Sequence, residues 1–152
     1  MNCRFCNHPL SLEFIDLGTA PPSNSFLSSE ELDSPELYYP LKVFVCEQCF
    51  LVQVAEYKKA DEIFDRNYVY FSSYSKTWLE HASNYVNMMN NRFGYTANSK
   101  VIEIASNDGY LLQYFKALNI PVLGIEPTLS TAKIAREKGI DTRVEFFGVE
   151  LA

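Results

Sequence analysis

Glycine, histidine and tryptophan are scarce in this sequence of 152 residues, which holds six, two and one of them. With so few glycines, no G-x-G-x-x-G loop occurs, and a pyrophosphate has no obvious cradle. Neither His8 nor His81 reads as a metal ligand or a catalytic base. No apolar run approaches the roughly 18 residues of a bilayer-spanning helix. The opening MNCRFCNHPL has neither a basic flank nor an apolar core, so no secretory signal is expected there. A soluble protein of the cytoplasm, without a membrane partner, is the expectation. Positive charge is also short where it would matter. Met1–Tyr57 has two basic residues, Arg4 and Lys42, against eight acidic ones, whereas the remainder balances at eleven each. The net charge of −6 therefore lies in the first third, which has too few cations to neutralise phosphates, so nucleic acid is not expected as a partner.

What is present suggests a packed protein of one ordinary domain or two small ones, with 47% hydrophobic and 21% charged residues. The four cysteines form two C-x-x-C pairs, Cys3/Cys6 and Cys46/Cys49. Two such turns can complete a tetrahedral Zn²⁺ site with about 2.3 Å to each sulfur, and four thiolates close the shell, so the metal is structural. CEQC lies between YPLKVFV and FLVQVA, which read as a hairpin with the cysteines at its tip. Two disulfides or four free thiols are the competing readings, and the first needs an oxidising compartment. Between the pairs, DLGTAPPSNSFLSSEELDSPELYYP reads as a long loop with one helical turn at Ser28–Leu32.

The next segment contains a helix by period, with Trp78, Ala82, Tyr85, Val86, Met89 and Phe93 on one face. Ser73 or Ser75 can cap it, and Gly94 stops it. YVYFSSYS stands just before that helix, where free N–H groups could hold a polar ligand; tyrosines half-buried at a domain junction are the other reading. From Lys100 the chain alternates strand and helix: Val101–Ile104, helix Gly109–Leu118 with Leu111, Leu112, Phe115 and Leu118 inward, Val122–Ile125, helix Thr128–Lys138, and a strand around Thr142–Phe146. That order predicts a parallel, doubly wound sheet.

In such sheets ligands bind beyond the carboxyl ends of the strands. The candidate loop is Glu103, Ala105, Ser106, Asn107, Asp108 and Gly109, joined by Glu126 and Pro127 at the end of the next strand. Glu126 is placed to accept from both ribose hydroxyls, so an adenosine ligand follows. A ligand without phosphate has less need of glycine, and acids at both strand ends suit a cation. S-adenosylmethionine meets both conditions. An ordinary strand–helix turn with an incidental glutamate is the alternative.

In this order, CRFC…CEQCFLVQ, YVYFSSYS, IEIASNDGYLLQYF and GIEPTLSTAKIAREKGI resemble the sugar C-methyltransferases that act on nucleotide-linked deoxysugars. The resemblance spans nearly the whole chain. It implies an α/β protein with a zinc-ribbon-like module at 1–57, a helical linker and active-site cover at 58–94, and the first half of a class I, Rossmann-like methyltransferase sheet at 95–152. It implies Zn²⁺ on the four cysteines, S-adenosylmethionine on the loop and Glu126, and Tyr68 or Tyr70 at the active site. The implied chemistry is methyl transfer to carbon beside the ketone of a nucleotide-linked 4-keto sugar, through an enolate. The base would lie in a C-terminal part beyond this chain, which is expected to be a fragment inactive alone. A non-catalytic zinc-ribbon scaffold with a degenerate Rossmann half and an NAD-type oxidoreductase are the competing functions.

Overall fold

A computed structural model describes residues 1–65 and 68–152; Arg66 and Asn67, inside the expected linker 58–94, lie outside the described residues. The chain divides into two compact units, Met1–Ile63 and Phe64–Ala152. Among the described residues no helix is long and apolar enough to cross a membrane.

The first unit is an antiparallel sheet of three strands, β1 (Leu12–Ala20), β2 (Tyr39–Val45) and β3 (Val52–Val54), in the order β1-β2-β3. β2 and β3 form the expected hairpin with CEQC between them, in the register Val45↔Val52. β1 corrects the expectation of a loop from Asp16, because its strand continues to Ala20. Its pairing with β2 breaks register between Glu13 and Ile15 and between Asp16 and Thr19, so the strand is held by its partner and not by an alternating pattern. Lys42 on β2 meets Glu13 at 3.1 Å and Asp16 at 2.9 Å across that pair. Ser28–Leu32 forms turns and not a helix: Ser28 N–H donates to Glu31 Oε2 at 2.8 Å and Glu31 N–H to the Ser28 carbonyl at 3.1 Å. A short helix, α1 (Ala60–Ile63), ends the unit.

In the second unit a 3₁₀ turn at Ser72–Tyr74 leads into α2 (Lys76–Phe93). Ser75 is the cap: its Oγ accepts from Trp78 N–H at 3.2 Å. Gly94 ends the helix in the left-handed conformation at φ 64°. Of the expected apolar stripe, Ala82 and Val86 are buried, whereas Trp78, Tyr85 and Phe93 stay substantially exposed. The parallel sheet follows as β4 (Val101–Ile104), β5 (Val122–Ile125) and β6 (Thr142–Arg143), with α3 (Leu112–Ala117) and α4 (Leu129–Glu137) as crossovers. α3 starts three residues later than expected because Gly109 sits at φ 75°, outside helical space. Leu112 and Phe115 turn inward as predicted, but Leu118 is 42% exposed at the frayed end. The third strand is shorter than its predicted span to Phe146. Both crossovers run in one direction across the sheet, so the right-handed rule puts both helices on one face. Val86, Leu112, Phe115, Ile120, Ala135 and Ile140 accordingly form one core cluster there, with Val101 and Val122 beneath it. A Cβ at Gly109 would overlap Ile140 Cδ1, so glycine is needed there for space as well as for φ.

Candidate metal centre and loop site

The two cysteine turns of the first unit share one backbone pattern. Cys3 N–H donates to the His8 carbonyl at 2.8 Å and Asn7 N–H to the Cys3 carbonyl at 2.9 Å. In the second turn Cys46 N–H donates to the Leu51 carbonyl at 3.0 Å and Phe50 N–H to the Cys46 carbonyl at 2.8 Å. The residue after each second cysteine, Asn7 or Phe50, takes a positive φ of 61° or 63°. These turns bring all four sulfurs within 4.8 Å of one another. Cys3 and Cys49 Sγ lie 3.6 Å apart and Cys6 and Cys46 Sγ 3.5 Å apart. A disulfide needs about 2.05 Å, and all four cysteines are free. A zinc tetrahedron with 2.3 Å bonds needs about 3.8 Å between sulfurs, so the cluster fits the metal. His8 stands beside the cluster through its backbone: its carbonyl accepts from Cys3 N–H, and its N–H bonds the Cys6 sulfur.

Gln53 is a residue that the motif did not reveal. It is buried between exposed Val52 and Val54, the reverse of the usual pattern for such a strand. Its Nε2 donates to Cys3 Sγ at 3.2 Å and its Oε1 accepts from Arg4 N–H at 3.1 Å. The amide thus orients one ligand and ties β3 to the first cysteine turn, as outer-shell groups at metal sites do. The backbone N–H of Cys6 is the main influence holding the Cys3 thiol down to about 6, against burial, so this sulfur is ready to bind as thiolate.

In the second unit the expected loop leaves β4 with positive φ at Ala105 (59°), Asn107 (50°) and Gly109 (75°). Ser106, Asn107 and Asp108 are buried, as is Glu126 at the end of β5; Ala105 is exposed and Pro127 half-buried. Glu126 accepts from Asn107 N–H at 2.9 Å through Oε2, and from Thr128 N–H at 2.9 Å and the Thr128 hydroxyl through Oε1. It therefore secures the loop, and most of its acceptor capacity is already used by the chain. Gly124 leaves the space that Ser106 Oγ fills.

Among the described residues, three buried oxygens of this site find no hydrogen-bond partner: Glu103 Oε2, Ser106 Oγ and Asp108 Oδ1. Burial pushes Glu103 up to about 8, against a hydrogen bond from Tyr110 that lowers it; the charges of Glu126 and Asp108 add to the rise. Lys138 Nζ faces Asp108 Oδ2 at 3.5 Å and accompanies its burial. Tyr70 is 51% exposed, and Tyr68 is half-buried with its ring edge-on to Phe64 at 5.3 Å. His81 stacks on Trp78 at 5.2 Å, on the helix.

The geometry defines a class: a four-cysteine zinc module in an antiparallel sheet, followed by a parallel sheet of three strands that corresponds to half of a Rossmann-like fold. Residues 3–64 match the family model Methyltransf_13, described as "Putative zinc binding domain". Over 149 residues, 98% of the chain, the sequence is 29% identical to C-methyltransferase NovU of Streptomyces niveus. The chain spans 35% of the length of that relative. Over nearly its whole length the chain is thus similar to part of a C-methyltransferase, with a four-cysteine module in its first unit.

Proposed function

We propose that the chain is the zinc-module and cofactor-binding part of an S-adenosylmethionine-dependent C-methyltransferase whose substrate is a nucleotide-linked 4-keto-deoxysugar. The observation that carries the cofactor reading is the set of partnerless buried oxygens, Glu103 Oε2, Ser106 Oγ and Asp108 Oδ1. Two belong to carboxyl groups and the third to a hydroxyl, so as a set they call for hydrogen-bond donors and positive charge. A ribose offers donors and an ammonium group offers both, whereas a pyrophosphate offers only acceptors and negative charge. S-adenosylmethionine, when bound, supplies a methyl group activated by a sulfonium.

The residues of this chain have separate tasks in that reading. Glu103, Ser106 and Asp108 hold the cationic ligand, and Glu126 with Pro127 shapes the ribose end. Tyr70 presents a half-exposed phenol near Tyr110, whose pKa is pushed up to about 12 first by burial, then by Glu103, with a smaller contribution from Tyr70. That phenol donates to the oxygen of an enolate formed when a base takes the proton beside the sugar ketone. Tyr68 has its carbonyl tied to Ser130 Oγ at 2.8 Å and supports the segment. The sugar substrate is what the resemblance of the sequence motifs implies, and none of the residues named here is assigned the role of proton-accepting base.

Calorimetric titration of the zinc-loaded chain with S-adenosylhomocysteine, and separately with NAD⁺, tests the cofactor. Saturable binding of the first and none of the second is expected. Binding of NAD⁺ with no response to S-adenosylhomocysteine would sink the reading.

A further inference from the structure

The segment before α2 is fastened to the loop by side chains. Asn107 makes the central contacts: its Oδ1 accepts from Ser72 N–H at 2.9 Å, and its Nδ2 donates to the Tyr70 carbonyl at 3.0 Å. One amide thus pairs with two backbone groups of a strap two residues apart, as a neighbouring strand would. Asp108 Oδ2 accepts from Ser73 N–H at 3.3 Å. Lys138 Nζ donates to Ser73 Oγ at 2.7 Å, and Ser130 Oγ donates to the Tyr68 carbonyl at 2.8 Å. On its other side, Asn107 gives its own N–H to Glu126. Asn107 therefore touches both the strap that carries Tyr70 and the carboxylate that sets the loop.

We infer that Asn107 is a positioning residue, whose side-chain amide holds the strap Tyr68–Ser75 in place and couples it to the occupancy of the loop. This rests on the proposed cofactor site. A ligand that orders the loop orders Asn107, and Asn107 orders the strap. By reciprocity, an unfastened strap must be re-ordered on binding, which weakens the ligand. The residue type also suits the place, since asparagine tolerates the φ of 50° and its amide offers both a donor and an acceptor.

Asn107→Gly isolates the amide, because glycine keeps the positive φ and the backbone N–H to Glu126. Amide hydrogen exchange reads the strap directly, for Ser72 N–H is the proton that Asn107 accepts. In the variant, exchange at Ser72 is expected to rise about tenfold or more. Val101 and Gly124, bonded within the sheet, stay unchanged and report that the fold is intact. In the parent chain, saturating S-adenosylhomocysteine slows exchange at Ser72 and Ser73; in the variant this protection is lost and affinity falls by roughly tenfold. Asn107→Asp, which keeps the acceptor for Ser72 but loses the donor to Tyr70, falls between the two. Unchanged exchange at Ser72 in the glycine variant overturns the fastening. Faster exchange with affinity unchanged within about twofold overturns the coupling. If the parent chain itself does not bind S-adenosylhomocysteine, the cofactor reading fails and the coupling with it, while Ser72 exchange still decides the fastening.

Discussion

Glu103 sits where its negative charge would be stripped of water: one carboxyl oxygen is buried with no partner among the described residues, and Asp108 and Glu126 lie near enough to repel it. Its pKa rises from 4.5 to about 8. An acid whose folded pKa lies above its unfolded one binds more protons when folded. Stability is therefore fully present below about pH 4.5 and is lost as pH rises through 8. Glu103→Gln removes this slope while keeping a partner for Tyr110. The variant and parent should melt alike near pH 4.5, and by pH 8.5 the variant should be more stable by roughly 2–4 kcal/mol. Asp108 and Glu126 are common to both chains and cancel in the difference. Parallel pH–stability curves would show that the buried oxygen is solvated after all. A group held neutral at this cost, in a loop of unfilled acceptors, is more readily explained by a ligand than by packing. The amide of Asn107, by contrast, was not legible in the sequence. Its partners Tyr70 and Ser72 lie 37 and 35 residues away, and nothing local announces the pairing.

Elements were legible where their signal was local. The C-x-x-C spacing, the serine cap, the glycine stop and the bounds of the strands Val101–Ile104 and Val122–Ile125 each depend on a few neighbouring residues, and the structure places them as read, although Ile102 and Ile104 leave one face of β4 exposed. β1 was missed because LEFIDLGTA is exposed over nearly its whole length and owes its form to pairing with β2. Gln53 was missed because its role depends on Cys3, fifty residues away in the chain. The first unit shows why the metal matters to these elements. Among its described residues only Cys3, Cys46 and Gln53 are buried, so the four-cysteine centre and its supporting amide stand where a hydrophobic core would be. Structural zinc binds with about 10–16 kcal/mol in small modules, much more than this sheet can supply by pairing. Stripping the metal with a chelator should therefore unfold Leu12–Val54 and leave the second unit folded. The single tryptophan, Trp78, lies in α2 and so reports on the second unit. The expected result is collapse of amide dispersion for β1–β3 with Trp78 emission unchanged, restored by added Zn²⁺. Persistence of the β1–β2 cross-strand signals in metal-free protein would show that pairing suffices.

At the scale of the whole molecule, among the described residues the second unit has helices on one face of its sheet only. α2, α3 and α4 all contribute to the single core cluster on that face. Parallel sheets ordinarily have both faces covered. On β4, side chains alternate: Val101 packs beneath the helices, while Ile102 and Ile104 point away and are each 54% exposed. β4 is also an edge strand in the order β4-β5-β6, so unpaired backbone groups and apolar side chains lie together. Such a combination drives association. The chain is expected to self-associate reversibly at concentrations of tens of micromolar or above. Ile102→Thr with Ile104→Thr should weaken that association by an order of magnitude. Threonine keeps β-branching and strand propensity, and side chains already half in water contribute little to the core, so the melting temperature should move by only a few degrees. Sedimentation velocity across a concentration series, with thermal melts of both proteins, separates the two effects. A parent chain that stays monomeric at the highest concentration would mean that the strip is too small to drive pairing. A double variant that melts far below the parent would mean that these isoleucines support the fold and are not merely its open edge.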